Sequence, residues 1–264
     1  MNKIKLNNFE INYVLKINND DNKIVLFLHG FGDSWKTFLS IGKINKEKIN
    51  WASFDFPGCG LSSSKNNLTL EEYSKTTEEF ILKILNNYKK IVVVSHSLGA
   101  WSALKNQNYF SNIILLSPFN YRLIDKNQHL VELDEWLLPN TYNQAQEAYL
   151  SLFNNPSEII KKSSILYAKR QMNSIEKFKN VFSYMVKEEV LNKEWLLNNL
   201  KPLYNSKKNI KIISGTNDKF TLIDDLKLLR ENNNIELIEI SNAGHAILFE
   251  KSTSIYNEIL KEYK

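Results

Sequence analysis

The stretch Ile91-Val92-Val93-Val94-Ser95-His96-Ser97-Leu98-Gly99-Ala100 decides how this chain folds. Its first four residues are a compact β-branched run, of the kind that suits a parallel strand covered by helices on both faces. The run passes directly into small-x-Ser-x-Gly, and helix-forming residues follow. Such a strand-to-helix turn holds its central residue in a strained conformation and lifts that side chain above the edge of the sheet. The flanking residues, Ser95 and Gly99, must be small because strand and helix backbones nearly touch there. Ser95 stands where glycine is usual. The turn therefore presents one hydroxyl, that of Ser97.

Working outward, residues 23–29 (KIVLFLH), 51–54, 113–117 and 210–214 (IKIIS) are further compact apolar runs that read as buried parallel strands. Residues 9–17 (FEINYVLKI) and 235–240 (IELIEI) alternate apolar and polar, as strands nearer the two sheet edges do. Helical spacing fills the intervals: residues 68–88, with Thr69 ahead of Glu71 and Glu72 as the helix start, then from Trp101 onward, 222–230 and 247–263. Strands alternating with helices predict a mostly parallel, doubly wound α/β sheet. The alternation stops between 120 and 208, where only amphipathic helices are legible, at 130–138, 144–153, 158–171, 175–186 and 190–200. The expected organisation is a core made of residues 1–119 and 209–264, with a helical cap, 120–208, inserted before the last two strands.

A serine hydroxyl is a poor nucleophile until a base takes its proton. The chain has four histidines. His29 ends a strand, His96 is the variable position of the turn and is expected to point away from the hydroxyl, and His129 lies in the cap. His245, in Asn242-Ala243-Gly244-His245, follows the last strand and so sits on a loop at the carboxyl edge, able to reach Ser97. The base needs an acid to fix its tautomer. Asp218, in Gly215-Thr216-Asn217-Asp218, also lies just past a core strand; Asp224 and Asp225 are rivals, expected inside the next helix and facing solvent. The order Ser, Asp, His differs from the orders of both unrelated serine-protease triads. His29-Gly30-Phe31-Gly32 closes another strand, where the Phe31 amide and the Leu98 amide are placed to form an oxyanion hole.

Together, Leu28-His29-Gly30-Phe31-Gly32, Asp55-Phe56-Pro57-Gly58-Cys59-Gly60-Leu61-Ser62, Ser95-His96-Ser97-Leu98-Gly99, Asp218 and Gly244-His245 resemble the α/β-hydrolase superfamily, and its cap-bearing esterase and lipase-like branch most. The resemblance runs from about Lys23 to the C-terminus. It implies the α/β-hydrolase fold and a serine hydrolase that cleaves a carboxylic ester through an acyl-enzyme, with no cofactor. Epoxide hydrolases and haloalkane dehalogenases of this fold carry Asp at the turn, so Ser97 argues against both. Similar menaquinone-pathway lyases carry Arg where Trp101 stands. A thioesterase, or a C–C hydrolase or lyase, shares the same residues, and a ligand-binding receptor on the same fold is the non-enzyme alternative.

The remaining features bound the partners. A formal charge of +5 comes from scattered Lys, with Arg only at 122, 170 and 230, and no basic run is interleaved with stacking aromatics, so nucleic acid is not an expected partner. Cys59 is the single cysteine, which rules out an intrachain disulfide and a cysteine-based metal cluster. No apolar window of about 20 residues is present, nor a signal-like N-terminal stretch, so a soluble cytoplasmic protein without membrane insertion is expected. The expected partner is a small acyl substrate; oligomeric state is left open. Cap aromatics, Trp136 and Tyr142 among them, are candidate walls of an apolar acyl pocket. Cys59 is expected to be inert, near the pocket rim.

Overall fold

The structure is a computed structural model and describes residues 2–46, 49–123, 127–205, 209–231, 233 and 235–264. Its strands are β1 (Asn2–Leu6), β2 (Phe9–Lys16), β3 (Lys23–Leu28), β4 (Trp51–Phe54), β5 (Lys90–His96), β6 (Asn112–Leu116), β7 (Ile210–Gly215) and β8 (Ile235–Ile240). They form one sheet in the order β1-β2-β4-β3-β5-β6-β7-β8. β2 pairs antiparallel with β1 and with β4, and all pairings from β4 to β8 are parallel. This is the α/β-hydrolase fold. The strand β1 was not legible in the sequence.

The helices are α1 (Leu39–Lys43), α2 (Leu70–Ile84), α3 (Gly99–Lys105), α4 (Asn127–Leu137), α5 (Tyr142–Ser151), α6 (Glu158–Asn173), α7 (Ile175–Tyr184), α8 (Lys193–Trp195), α9 (Lys201–Tyr204), α10 (Ile223–Glu231), α11 (Ile247–Glu250) and α12 (Ser252–Tyr263). The helix start expected at Thr69 is formed, and by a capping box: Glu72 N donates to Thr69 Oγ1, and Thr69 N to the Glu72 carboxylate. The stretch 247–263, expected as one helix, breaks at Lys251 into α11 and α12.

The period-2 alternation of the central strands divides the core. Val25, Phe27, Val92, Val94, Ile114 and Leu116 pack with Ile255 and Ile259 of α12 on one face. Ile24, Leu26, Leu28, Val93, Ile113 and Leu115 pack on the other with residues of α2, α3 and α10. Both faces are covered, which is why these strands read as continuous apolar runs.

Between β6 and β7 the described residues form helices only. The Lys208 end of the expected cap lies outside the described residues. Two π-helical segments, Met185–Val190 and Leu196–Leu200, interrupt the helices expected at 175–186 and 190–200. Near the first, carbonyls of α7 accept bonds from the core: Asn67 N donates to Asn180 O and Leu68 N to Val181 O, both at 2.9 Å. Glu189, within the π turn, accepts from Leu70 N at 2.7 Å. This helical stretch between β6 and β7 is thereby stapled to the start of α2.

Candidate active site

β3, β5, β7 and β8 all deliver their carboxyl ends to one edge of the sheet. The chain leaves β3 toward β4 on one side and β5 toward β6 on the other, so the edge between β3 and β5 is a topological switch point, where α/β proteins place their sites.

Ser97 follows β5 with φ of +52°, in the left-handed region that costs a non-glycine residue energy. The strain is held by bonds on both sides: Ser97 N donates to Leu116 O, and Ala100 N and Phe119 N both donate to Ser97 O, all at 3.0 Å. A Cβ on Gly99 would stand 2.7 Å from both Leu28 O and His29 O, so the close backbone approach inferred from the sequence is real.

Ser97 Oγ lies 3.0 Å from His245 Nε2. On the far side of the ring, His245 Nδ1 lies 2.9 Å from Asp218 Oδ2 and 3.1 Å from Oδ1. With Nδ1–H donated to the carboxylate, Nε2 is left free to accept the Ser97 proton. The structure therefore brings Ser97, His245 and Asp218 into one hydrogen-bonded chain. Asp218 also accepts from Phe220 N, Thr221 N and Thr221 Oγ1 at 2.8–2.9 Å. Burial pushes its pKa up, but His245 and these donors outweigh burial and hold it below the usual carboxylate value. Asp224 is exposed, as expected; Asp225 is buried, contrary to expectation, on α10.

The His245 ring is packed on both faces. Phe220 stacks on it at 4.8 Å and 30°, and His96 lies at 4.8 Å and 49°. His96 does not bond the Ser97 hydroxyl; its Nε2 lies 2.9 Å from the carbonyl oxygen of His245 and donates to it. Burial first, then the neighbouring His245, lowers the His96 pKa to about 3, so its ring is neutral. His129 donates to Phe220 O at 3.2 Å and so supports the stacked ring from the insertion. His29 is structural: Nδ1 donates to Gly30 O at 2.7 Å and Nε2 accepts from Phe56 N at 2.9 Å.

Among the described residues, neither Phe31 N nor Leu98 N donates to a protein acceptor. The two amides sit on loops that touch, since a Cβ on Gly30 would lie 3.0 Å from Ser97 Cβ. The Phe31 ring packs edge-on against Phe182 at 5.1 Å and Phe178 at 5.6 Å, both from α7.

Above Ser97 and Leu98 lies a cavity of about 410 Å³, open mouth included, whose walls are Phe31, Phe119, Leu123, Leu133, Leu137 and Val190, with Phe220 and Thr221 completing the lining. Trp136 and Tyr142 are not among these walls. Trp136 packs behind the cavity, 4.8 Å from the Phe220 ring. Tyr142 is exposed and donates to Ile165 O, on the flank of α6. Cys59 is not at the rim: it is buried against the Tyr73 hydroxyl, and burial pushes its thiol up to about 12. Asp55, directly after β4, is a structural node that accepts from Asn12 Nδ2, Trp35 N and Leu61 N. No helix among the described residues is long and apolar enough to cross a membrane.

A doubly wound sheet that carries a strained serine at the end of a central strand defines the class. The chain belongs to the alpha/beta hydrolase family, whose model matches residues 25–254. Two mycoplasma proteins that carry esterase/lipase in their names are similar to it. That of Mycoplasma pneumoniae is 33% identical over 102 residues, 36% of this chain and 37% of that protein. That of Mycoplasma genitalium is 29% identical over 209 residues, 75% of this chain and 72% of that protein. The match thus spans little more than a third of the first relative and nearly three quarters of the second. Among solved structures, a membrane phospholipase A superposes with a TM-score of 0.80 at 14% identity, covering 99% of this chain and 84% of that one. At such identity the likeness is one of fold.

Proposed function

We propose that this protein is a serine hydrolase that cleaves carboxylic esters with an apolar acyl group, through an acyl-enzyme. The observation that carries this reading is the unbroken chain Ser97 Oγ, His245 Nε2, His245 Nδ1, Asp218 at 3.0 and 2.9 Å. His245 takes the proton of Ser97 as its oxygen attacks the ester carbonyl. The tetrahedral oxyanion is held by the amides of Phe31 and Leu98. The bond to the alkoxy oxygen then breaks, and the leaving alcohol takes the proton from His245. Water, deprotonated by the same histidine, attacks the acyl-Ser97 ester, and the carboxylic acid leaves as Ser97 recovers its proton. The acyl group lies in the apolar cavity, beneath residues 120–208 acting as a cap, and a small substrate of this kind suits a soluble cytoplasmic enzyme.

The test is a series of p-nitrophenyl esters combined with a serine-reactive fluorophosphonate. Wild type should turn over the esters and be labelled at Ser97 alone, and Ser97→Ala should lose both properties while staying folded. Labelling that persists in Ser97→Ala would overturn the reading. Matched oxygen esters and thioesters then assign the leaving group.

A further inference from the structure

The loop that carries His245 is tied to the insertion through a carboxylate that the catalytic reading leaves unused. Glu250 ends the single turn α11 and reaches back over its own loop. Its Oε2 accepts the Gly244 N–H at 2.7 Å, and its Oε1 accepts the Asn154 N–H at 3.0 Å. Asn154 belongs to the corner between α5 and α6 of the insertion. The same corner supplies Leu152 O, which accepts the Ala246 N–H at 2.7 Å. The residues immediately before and after His245 are therefore both bonded to one bridge between sheet and insertion.

Three further observations make the bridge specific. Gly244 packs so closely on the corner that a Cβ would stand 2.7 Å from Asn154 N and 2.8 Å from Leu152 O. Phe249 and Phe153 close the contact edge to face at 5.7 Å. Among the described residues no cation pairs with Glu250, so its two oxygens serve backbone donors, one from each side of the seam. A carboxylate accepting two N–H groups makes charge-assisted bonds, stronger than those of a neutral acceptor.

We propose that Glu250 is a positioning residue for His245: its carboxylate clasps the Gly244 and Asn154 amides, so that the base reaches Ser97 only when the 152–154 corner of the insertion is docked. This rests on the assignment of His245 as base. Without the clasp the loop keeps Asp218 as a side-chain partner but loses one of its backbone ties, and the Ser97–His245 distance loosens. Displacements of about 1 Å at a reacting pair reduce rates by up to about 100-fold.

The test compares Glu250→Ala, Glu250→Gln and His245→Ala in the full chain, with p-nitrophenyl ester kinetics, thermal melting and the deshielded imidazole proton of the His245–Asp218 bond in proton NMR. Glu250→Ala is expected to lower kcat by about 10- to 100-fold with little change in KM. The imidazole resonance should broaden, while melting shows the fold retained. Glu250→Gln keeps one acceptor oxygen of the two and should fall between. Wild-type kcat and an unchanged resonance in both Glu250 variants, with His245→Ala inactive, would overturn the proposal and leave the base assignment standing. So would a rise in KM alone, or a loss of kcat that only follows the unfolded fraction. If Glu250→Ala does not fold, Glu250→Gln decides by the same criteria. Wild-type kcat in His245→Ala would instead overturn the base itself, and the proposal with it.

Discussion

His96 Nε2 donates to the carbonyl oxygen of His245 at 2.9 Å, so the residue that precedes Ser97 holds the main chain of the residue that faces Ser97. The two rings touch, and the hydrogen bond crosses from the end of β5 to the loop after β8. The turn and the His245 loop are thus one unit, which the variable position of the motif did not suggest.

A first prediction concerns acid stability. Burial lowers the His96 pKa from 6.5 to about 3 in the folded chain. A depressed folded-state pKa gives stability that is complete above 6.5 and is lost as pH falls through that window toward 3. One such proton changes the unfolding free energy by at most about 1.4 kcal/mol per pH unit. In urea titrations between pH 7 and 4, His96→Gln should show a shallower loss of stability than wild type. Parallel slopes would remove His96 as a source of acid sensitivity.

A second prediction separates two of the buried aspartates, Asp218 and Asp225. Asp218→Asn keeps the shape of the site but makes the carboxylate a neutral amide, which no longer stabilises the imidazolium or fixes its tautomer. kcat should fall on the order of 10⁴-fold, as in triads elsewhere. Both short contacts of His245 Nδ1 go to Asp218, whereas Asp225 is buried on α10. Asp225→Asn should keep wild-type kcat, with any cost appearing as a lower Tm. Steady-state kinetics and melting of both variants check this, and the opposite pattern would make Asp225 the acid.

A third prediction concerns acyl selectivity. Leu137 lines the cavity over Ser97, whereas Tyr142 faces solvent. Leu137→Trp should lower kcat/KM for hexanoyl or longer p-nitrophenyl esters by about 10-fold or more while sparing the acetate, because one methylene in an apolar pocket is worth about 10- to 200-fold. Tyr142→Phe, which only removes the bond to Ile165 O, should leave the whole series unchanged. Equal effects on acetate and hexanoate would place the acyl chain elsewhere.

The centre of the sheet was legible because its strands are buried on both faces, which forces apolar runs bounded by Gly and polar turns. The ends of those runs singled out Ser97, Asp218 and His245, which the fold brings into one hydrogen-bonded chain. β1 escaped because four of its five residues keep solvent access, so NKIKL shows no buried stripe. The π segments escaped because a shift of hydrogen-bond register leaves the spacing of apolar residues almost unchanged. Tyr142 was a candidate wall because aromatic content does not say which helix face is turned inward. His96 and Glu250 bond backbone groups of His245 and Asn154, 149 and 96 residues away in sequence, and such bonds impose no local pattern. The five-residue step from His245 to Glu250 was nonetheless in view.

The last prediction concerns the staple at the first π segment. Glu189 accepts from Leu70 N at 2.7 Å, and burial raises its pKa to about 7, with Glu72 and Glu71 adding to the rise against the Leu70 bond. A raised folded-state pKa gives stability that is complete below the ordinary value of 4.5 and is lost as pH rises through about 7, the reverse of the His96 case. The adjacent residue, Val190, lines the cavity, so loosening this staple reaches the site. Glu189→Gln keeps an oxygen for Leu70 N but cannot ionise. It should therefore be more stable than wild type at pH 8 and close to it at pH 5, with the two unfolding curves converging as the pH falls. Glu189→Ala leaves the Leu70 amide buried without its acceptor and should be destabilised by about 1–3 kcal/mol at either pH. Urea titrations of the three proteins at pH 5 and pH 8 make the comparison. A Glu189→Gln variant less stable than wild type at pH 8 would mean that the ionised carboxylate strengthens the staple rather than strains it.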